Sequence, residues 1–193
     1  MKLVKNKANR MVPNIINGVE STPFKGVGLH APKGSKSTTL IKSCQDFPMD
    51  GNKLVGSLKE ALERCELKNG MTISSHHHFR NGDLVMNQVF DILADMGLKD
   101  LVWFPSASFP CHEPMIKHME NGVIHHIEGS LNGPIGKYAS EGHMKGLAVL
   151  RSHGGRWQAI QDGEINIDLA ILPAPTADHF GNSTGDRGPS ACG

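Results

Sequence analysis

The sequence predicts an α/β fold: a mostly parallel sheet with helices on both faces, preceded by a loop-rich extension. Two observations predict it. From Ser57 onward short apolar runs alternate with stretches of helical period, which is the pattern of βαβ units and of a sheet covered on both faces. The chain has 193 residues, enough for one domain of this kind and a modest appendage.

Residues 1–50 are expected to form an N-terminal extension, and residues 51–193 the α/β domain. The extension is rich in Pro, Gly, Lys, Ser and Thr and shows little period. The run FKGVGLHAPKGSKSTT reads as loops, with one short strand at Thr38–Ile41. This segment is expected to pack on the main body or on another chain.

The domain begins with a capping box. The Ser57 hydroxyl can accept from the N3 amide, and Glu60 can reach back to the N-cap amide. Leu58, Ala61, Leu62 and Cys65 then share one helical face, and Asn69-Gly70 stops the helix. Met71–Ser74 reads as a strand. Asp83 suits the N-cap of a second helix whose stripe is Val85, Val89, Ile92, Leu93 and Met96, with Gly97 at its end. Leu101–Phe104 is a strand closed by Pro105. Met115, Ile116 and Met119 mark a third helix that stops at Asn121-Gly122. Val123–Ile127 and Leu147–Leu150 are strands, Arg156–Gln161 a short helix, and Ile165–Leu172 the last strand. No internal repeat or low-complexity segment interrupts this order.

Composition narrows the function classes. A net charge of +1 with 38% apolar residues describes a soluble chain without the basic excess of a nucleic-acid binder. No apolar run approaches the roughly 18 residues of a membrane span. The basic start MKLVKNKANR has no apolar segment behind it, so no signal peptide is expected and a cytoplasmic location is the default. Cys44, Cys65, Cys111 and Cys192 are scattered, with no C-x-x-C pair, and read as reduced thiols.

Ligands of such sheets bind beyond the carboxyl ends of the strands, so the chemistry is expected in the following segments: 75–83, 105–110, 128–136, 151–156 and 173–193. Taken together they are rich in Gly, Ser, Asn and His. Glycine lets backbone N–H groups approach a ligand, helix N-termini add partial positive charge, and Arg80 and Arg156 suit a carboxylate or phosphate. Together these suggest a site for a small, multiply charged anion.

The stretch SSHHHFRNGD holds His76, His77, His78 and Arg80 within a few residues. A metal site is the other reading. Consecutive side chains of an extended segment point opposite ways, so at most two of these imidazoles share a face. Zinc would need His125, His126 or His153 as well, and no HExxH-like spacing is present. The plain reading, solvated or supporting histidines, also stands, as does an ordinary surface role for either arginine.

The loops EGSLNGPIG, SHGGRWQAI and PTADHFGNSTGDRGPSACG, with SSHHHFRNGD before them, are similar to those of the citrate lyase α-subunit family, within the CoA-transferase superfamily. The resemblance runs from the N terminus to the last residue and corresponds to the N-terminal part of a longer subunit with two similar halves. The chain is therefore expected to be a fragment or truncated product, incomplete for full activity. The resemblance implies a citrate:acyl-carrier-protein transferase. Acetyl on a CoA-like thioester of an acyl carrier protein is exchanged for citryl through a mixed anhydride, and a β subunit then cleaves the citryl thioester. It implies no cofactor bound tightly in this chain, no metal, the acyl carrier protein (γ subunit) and β subunit as partners, and an oligomer.

The substrate-binding set expected from the loops and the resemblance is His76, His77, His78, Arg80, Asn81, Gly129, Ser130, Asn132, Gly154, Gly155, Arg156, Asn182, Gly188 and Ser190. Related transferases use a glutamate nucleophile in a Glu-x-Gly setting. Glu120-Asn121-Gly122 sits at a helix end, and Glu128, after a strand, is the better placed carboxylate. Two further readings remain: an assembly or ligand-binding module without activity of its own, and a metal hydrolase built on the histidine cluster. Citrate and citramalate are not distinguished.

Overall fold

The computed structural model describes residues 2–16, 18–23, 25, 51–77 and 80–185. Its contacts divide the chain into two units, Met1–Ser37 and Thr38–Gly193. In the first unit, β1 (Leu3–Lys5) pairs antiparallel with β2 (Met11–Pro13), and β3 (Ile15–Ile16) with β4 (Val19–Glu20). The first hairpin turns through Asn6, whose Oδ1 accepts from the amides of Ala8 and Arg10. The second turns through Gly18, which takes φ +80°, a conformation glycine adopts without steric cost. The expected strand at Thr38–Ile41 lies outside the described residues.

The second unit opens with α1 (Leu58–Arg64). Ser57 Oγ accepts from the Glu60 amide at 3.1 Å, as the capping box requires. The Glu60 carboxylate, however, reaches the Gly56 amide at 2.9 Å, one residue earlier than expected. The sheet then builds from β5 (Thr72–Ser75), α2 (Val85–Asp95), β6 (Leu101–Pro105), α3 (Met115–Glu120), β7 (Ile124–Gly129), α4 (Gly133–Ser140), β8 (Val149–Leu150), α5 (His153–Gln161) and β9 (Leu169–Ile171). A last hairpin, β10 (Thr176–Ala177) with β11 (Ser183–Thr184), closes the described chain.

The five strands are ordered β8-β7-β6-β5-β9, and every pair is parallel. The chain steps outward from β5 to β8, and α5 then carries it back to lay β9 on the free side of β5. Strand order reverses between β5 and β9, so segments leaving these strands diverge and open a crevice at their carboxyl ends. On one face Phe90 of α2 meets Trp103 edge-on, with ring centroids 5.9 Å apart. Ile73, Phe90, Leu93, Trp103, Ile124 and Ile127 are completely buried there or beside it. On the other face lies α5.

Several local expectations are corrected. The cap position of α2 is Leu84, while Asp83 accepts from the Val85 amide at 3.0 Å and lies buried against His112 at 3.3 Å. Residues 133–140 form a helix where the sequence suggested turns; Pro134 suits a first turn, which has no use for its missing N–H, and Ile135 is buried. The helix after β8 starts at His153, not Arg156. The strands expected over Leu147–Leu150 and Ile165–Leu172 shorten to β8 and β9. Cys111 is a free thiol. No helix among the described residues is long and apolar enough to cross a membrane.

Candidate functional site

Alternation along β5 and β6 sends Ile73 and Trp103 toward α2, and Ser74 and Phe104 toward α5. Ser74 and Phe104 are register partners across the strand pair. Arg156, in the first half of α5, spans both: Nη1 donates to the Phe104 carbonyl and Nη2 to Ser74 Oγ, each at 2.7 Å. Its guanidinium carbon stands 4.0 Å from the centre of the Phe104 ring, a cation–π contact. Burial pushes its pKa down to about 10, so it stays charged at neutral pH. Among the described residues no carboxylate pairs with it.

Beside this guanidinium is a cavity of about 200 Å³ lined by His76, His77, Ser106, His153, Arg156, Trp157 and Ile160. Strand β5 ends at Ser75, and beyond it the His76 and His77 rings do not diverge but stack with centroids 4.8 Å apart. His77 also stands 5.9 Å from Phe109 and 6.1 Å from His153. The His76 amide donates to the Ile171 carbonyl of β9 at 3.3 Å, and the Ser106 amide to the Ser75 carbonyl at 2.9 Å, which holds the rim to the sheet. Ser106 Oγ accepts from the His77 amide at 3.1 Å and also contacts His77 Nδ1. Ser152 caps α5 by accepting from the Gly155 amide at 3.0 Å, so the positive end of that helix faces the cavity through His153.

The cavity thus joins His76, His77 and Arg156 of the expected set. Gly154 and Gly155 lie in the first turn of α5 rather than in a loop. Arg80 is exposed, and Asn81 Oδ1 accepts from the Cys111 amide at 2.9 Å, tying two rim turns together. Ser130 and Asn132 lock the 128–136 segment to Ser108: the Ser108 amide donates to the Ser130 carbonyl, and the Asn132 amide to Ser108 Oγ. Gly129 permits the close approach beneath them, since a Cβ there would stand 2.1 Å from the Pro105 carbonyl oxygen. Asn182 is exposed in a turn closed by Asp178. His78, Gly188 and Ser190 lie outside the described residues. Glu128 is buried with both carboxylate oxygens engaged, Oε2 by Arg151 Nε at 2.8 Å and Oε1 by His126 at 3.3 Å. Ser106 and His153 stand outside the expected binding set; they fall within the expected segments 105–110 and 151–156, and His153 entered only the metal reading.

No group of three or more His, Cys, Asp or Glu side chains among the described residues is placed to hold a metal ion. A groove of about 730 Å³ is lined by Asp91, Asp95, Lys99, Lys117 and His118 among others. It lies toward the amino ends of β6 and β7, and its Asp91 already pairs with Lys117 and His118. It therefore presents neutralised charge, whereas the first cavity presents an unbalanced cation.

Comparison with known proteins gives a consistent result. Residues 51–193 match the family model "Citrate lyase, alpha subunit (CitF)". The chain is 48% identical over 173 residues to the citrate lyase α chain of Klebsiella pneumoniae, covering 89% of this chain and 32% of that protein. It is 44% identical over 142 residues to the α chain of Escherichia coli K12, covering 73% and 28% respectively. The α subunit of citrate lyase from Streptococcus mutans, solved in complex with citrate, superposes with a TM-score of 0.72 at 47% identity, over 82% of this chain and 30% of that one. The chain spans about a third of the length of the curated relatives it matches. By the family model and by this level of identity, the chain belongs to the citrate lyase α-subunit family.

Proposed function

We propose that this chain supplies the citrate-holding wall of a citrate:acyl-carrier-protein transferase, and that the cavity between β5, β6 and α5 receives citrate carboxylates. One observation carries the reading: the Arg156 guanidinium is half-buried at the cavity wall, with no carboxylate to balance it among the described residues. A fixed, partly desolvated cation beside three imidazoles and a helix N-terminus is complementary to a polycarboxylate. The citrate-bound relative from Streptococcus mutans supports the same ligand class.

In the reaction so assigned, a citrate carboxylate attacks the acetyl thioester carbonyl and releases the thiolate. The thiolate then attacks the citryl carbonyl of the mixed anhydride and acetate leaves. The CoA-like group arrives on an acyl carrier protein, and a β subunit takes the citryl thioester onward, in the cytoplasm. Part of this chain's contribution is orientation: citrate held against a rigid sheet rim presents one carboxylate to the incoming carbonyl. Arg80, Asn81 and the 128–136 segment follow the same strand ends and would contact ligand portions outside the cavity.

The test is acetyl-thioester:citrate exchange, followed by isotope transfer from labelled citrate into the thioester. It is run on this chain alone and with the rest of a family subunit supplied in trans. Exchange that requires this chain and saturates with citrate is expected. No citrate binding by this chain in either setting would contradict the assignment.

A further inference from the structure

We infer that Ser106 is a further ligand-binding residue of this cavity and that His77 is its positioning residue, setting which way the Ser106 hydroxyl proton points. The inference rests on the reading of the cavity as a carboxylate site, and it concerns a residue outside the binding set expected from the loops and the family resemblance.

The geometry is specific. Ser106 directly follows β6, and its amide is anchored to the Ser75 carbonyl, so its Cα is fixed to the sheet. The side chain is almost fully buried, at 8% exposure, and what exposure it has faces the cavity. Two groups of His77 address its oxygen: the backbone N–H at 3.1 Å and ring Nδ1. A hydroxyl has one proton and two lone pairs. When Nδ1 carries a proton, both lone pairs are filled by donors from His77, and the hydroxyl proton is left to point into the cavity. When Nδ1 is bare, the hydroxyl donates to it and turns a lone pair toward the cavity.

These two arrangements have opposite consequences for an anion. The first offers a carboxylate oxygen a hydrogen bond, and the second repels it. Carboxylate binding and protonation at Nδ1 are therefore coupled, each favouring the other. Among the described residues, the groups facing His77 include His76, stacked on it, together with His153, Phe109, Ser106 and the Arg156 guanidinium across the cavity.

The experiment combines two readouts. The first follows the His77 ring nitrogens by 15N NMR in the wild-type chain during a citrate titration, and needs no variant to fold. Citrate is expected to drive Nδ1 to the protonated form with the same saturation curve that the binding isotherm gives. The second measures citrate affinity for Ser106→Ala and Ser106→Thr. Loss of a hydrogen bond to a charged group is expected to weaken the alanine variant roughly tenfold or more, with the threonine variant restoring part of the loss. Wild-type affinity in a folded Ser106→Ala chain, or an Nδ1 that stays bare in the citrate complex, overturns the role of Ser106 while leaving the cavity assignment intact. Failure of the wild-type chain to bind citrate overturns both.

Discussion

The two faces of the β5–β6 pair are built from adjacent residues and serve opposite ends. Ile73 and Trp103 point toward α2 into a dry interior, where the Trp103 indole N–H finds Ser75 Oγ at 3.0 Å and the ring meets Phe90. Ser74 and Phe104, one residue along, point toward α5 and receive a cation. The first face spends its burial on stability. The second places a half-buried guanidinium and an aromatic ring beside the cavity proposed to receive an anion. A period of two residues is enough to give one strand pair both a core and a site.

Substitutions on the two faces should therefore separate stability from binding. The largest stability loss is expected from Trp103→Ala, about 3–5 kcal/mol for removing a buried indole, read by urea unfolding. Gly129→Ala comes next, about 1–3 kcal/mol by overpacking, because the new methyl meets the Pro105 carbonyl. It should also loosen the rim of the cavity. Arg156→Met keeps the stem, forfeits the bonds to Phe104 and Ser74, and should cost about 1–2 kcal/mol of stability. Its citrate affinity should fall at least tenfold, measured by calorimetry on the folded variant. A variant that binds citrate normally would place the anion elsewhere.

A pH experiment sharpens the same contrast at a third place. His118 is buried against Asp91 at 3.0 Å; burial pushes its pKa below the ordinary imidazole value, with Asp91 opposing in part. The unfolded chain thus takes this proton at higher pH than the folded one. Stability from His118 is present above the ordinary imidazole range and is lost as pH falls through it. Unfolding free energies between pH 7.5 and 5.5 should show a shallower decline in His118→Gln than in the wild type. The smallest effect belongs to Arg80→Ala. Arg80 is exposed, so stability should change by less than about 0.5 kcal/mol, and citrate affinity should fall less than for Arg156→Met. The reverse ranking would move the centre of binding from the cavity to the turn that follows it.

What could be read in the sequence was what is local. The Ser57 cap and the α2 stripe depend on neighbours within a turn or two, and the alternation of strands and helices gave the parallel sheet. Helix α4 was hidden because its first residues, Gly133 and Pro134, spell a turn, and only the burial of Ile135 in the core decides otherwise. The hairpins of the first unit have strands of two or three residues, too short to carry a period. The site was half legible. His77 and Arg156 announced themselves as polar residues after strands, yet the bonds from Arg156 reach back 52 and 82 positions, and Ser106 joins His77 from 29 positions away. Such meetings depend on sheet register and on the path of α5, which no local pattern encodes. Glu128 shows the converse: a carboxylate suited to chemistry by its place after a strand is engaged by Arg151 and His126 once the sheet edge forms.

The most direct test follows all the imidazoles at once. In a citrate titration monitored by histidine-ring NMR, His76, His77 and His153 should shift together and saturate at one concentration, while His118, His125 and His143 stay in place. Saturable shifts at His118 or His125 with none at the first three would contradict the account.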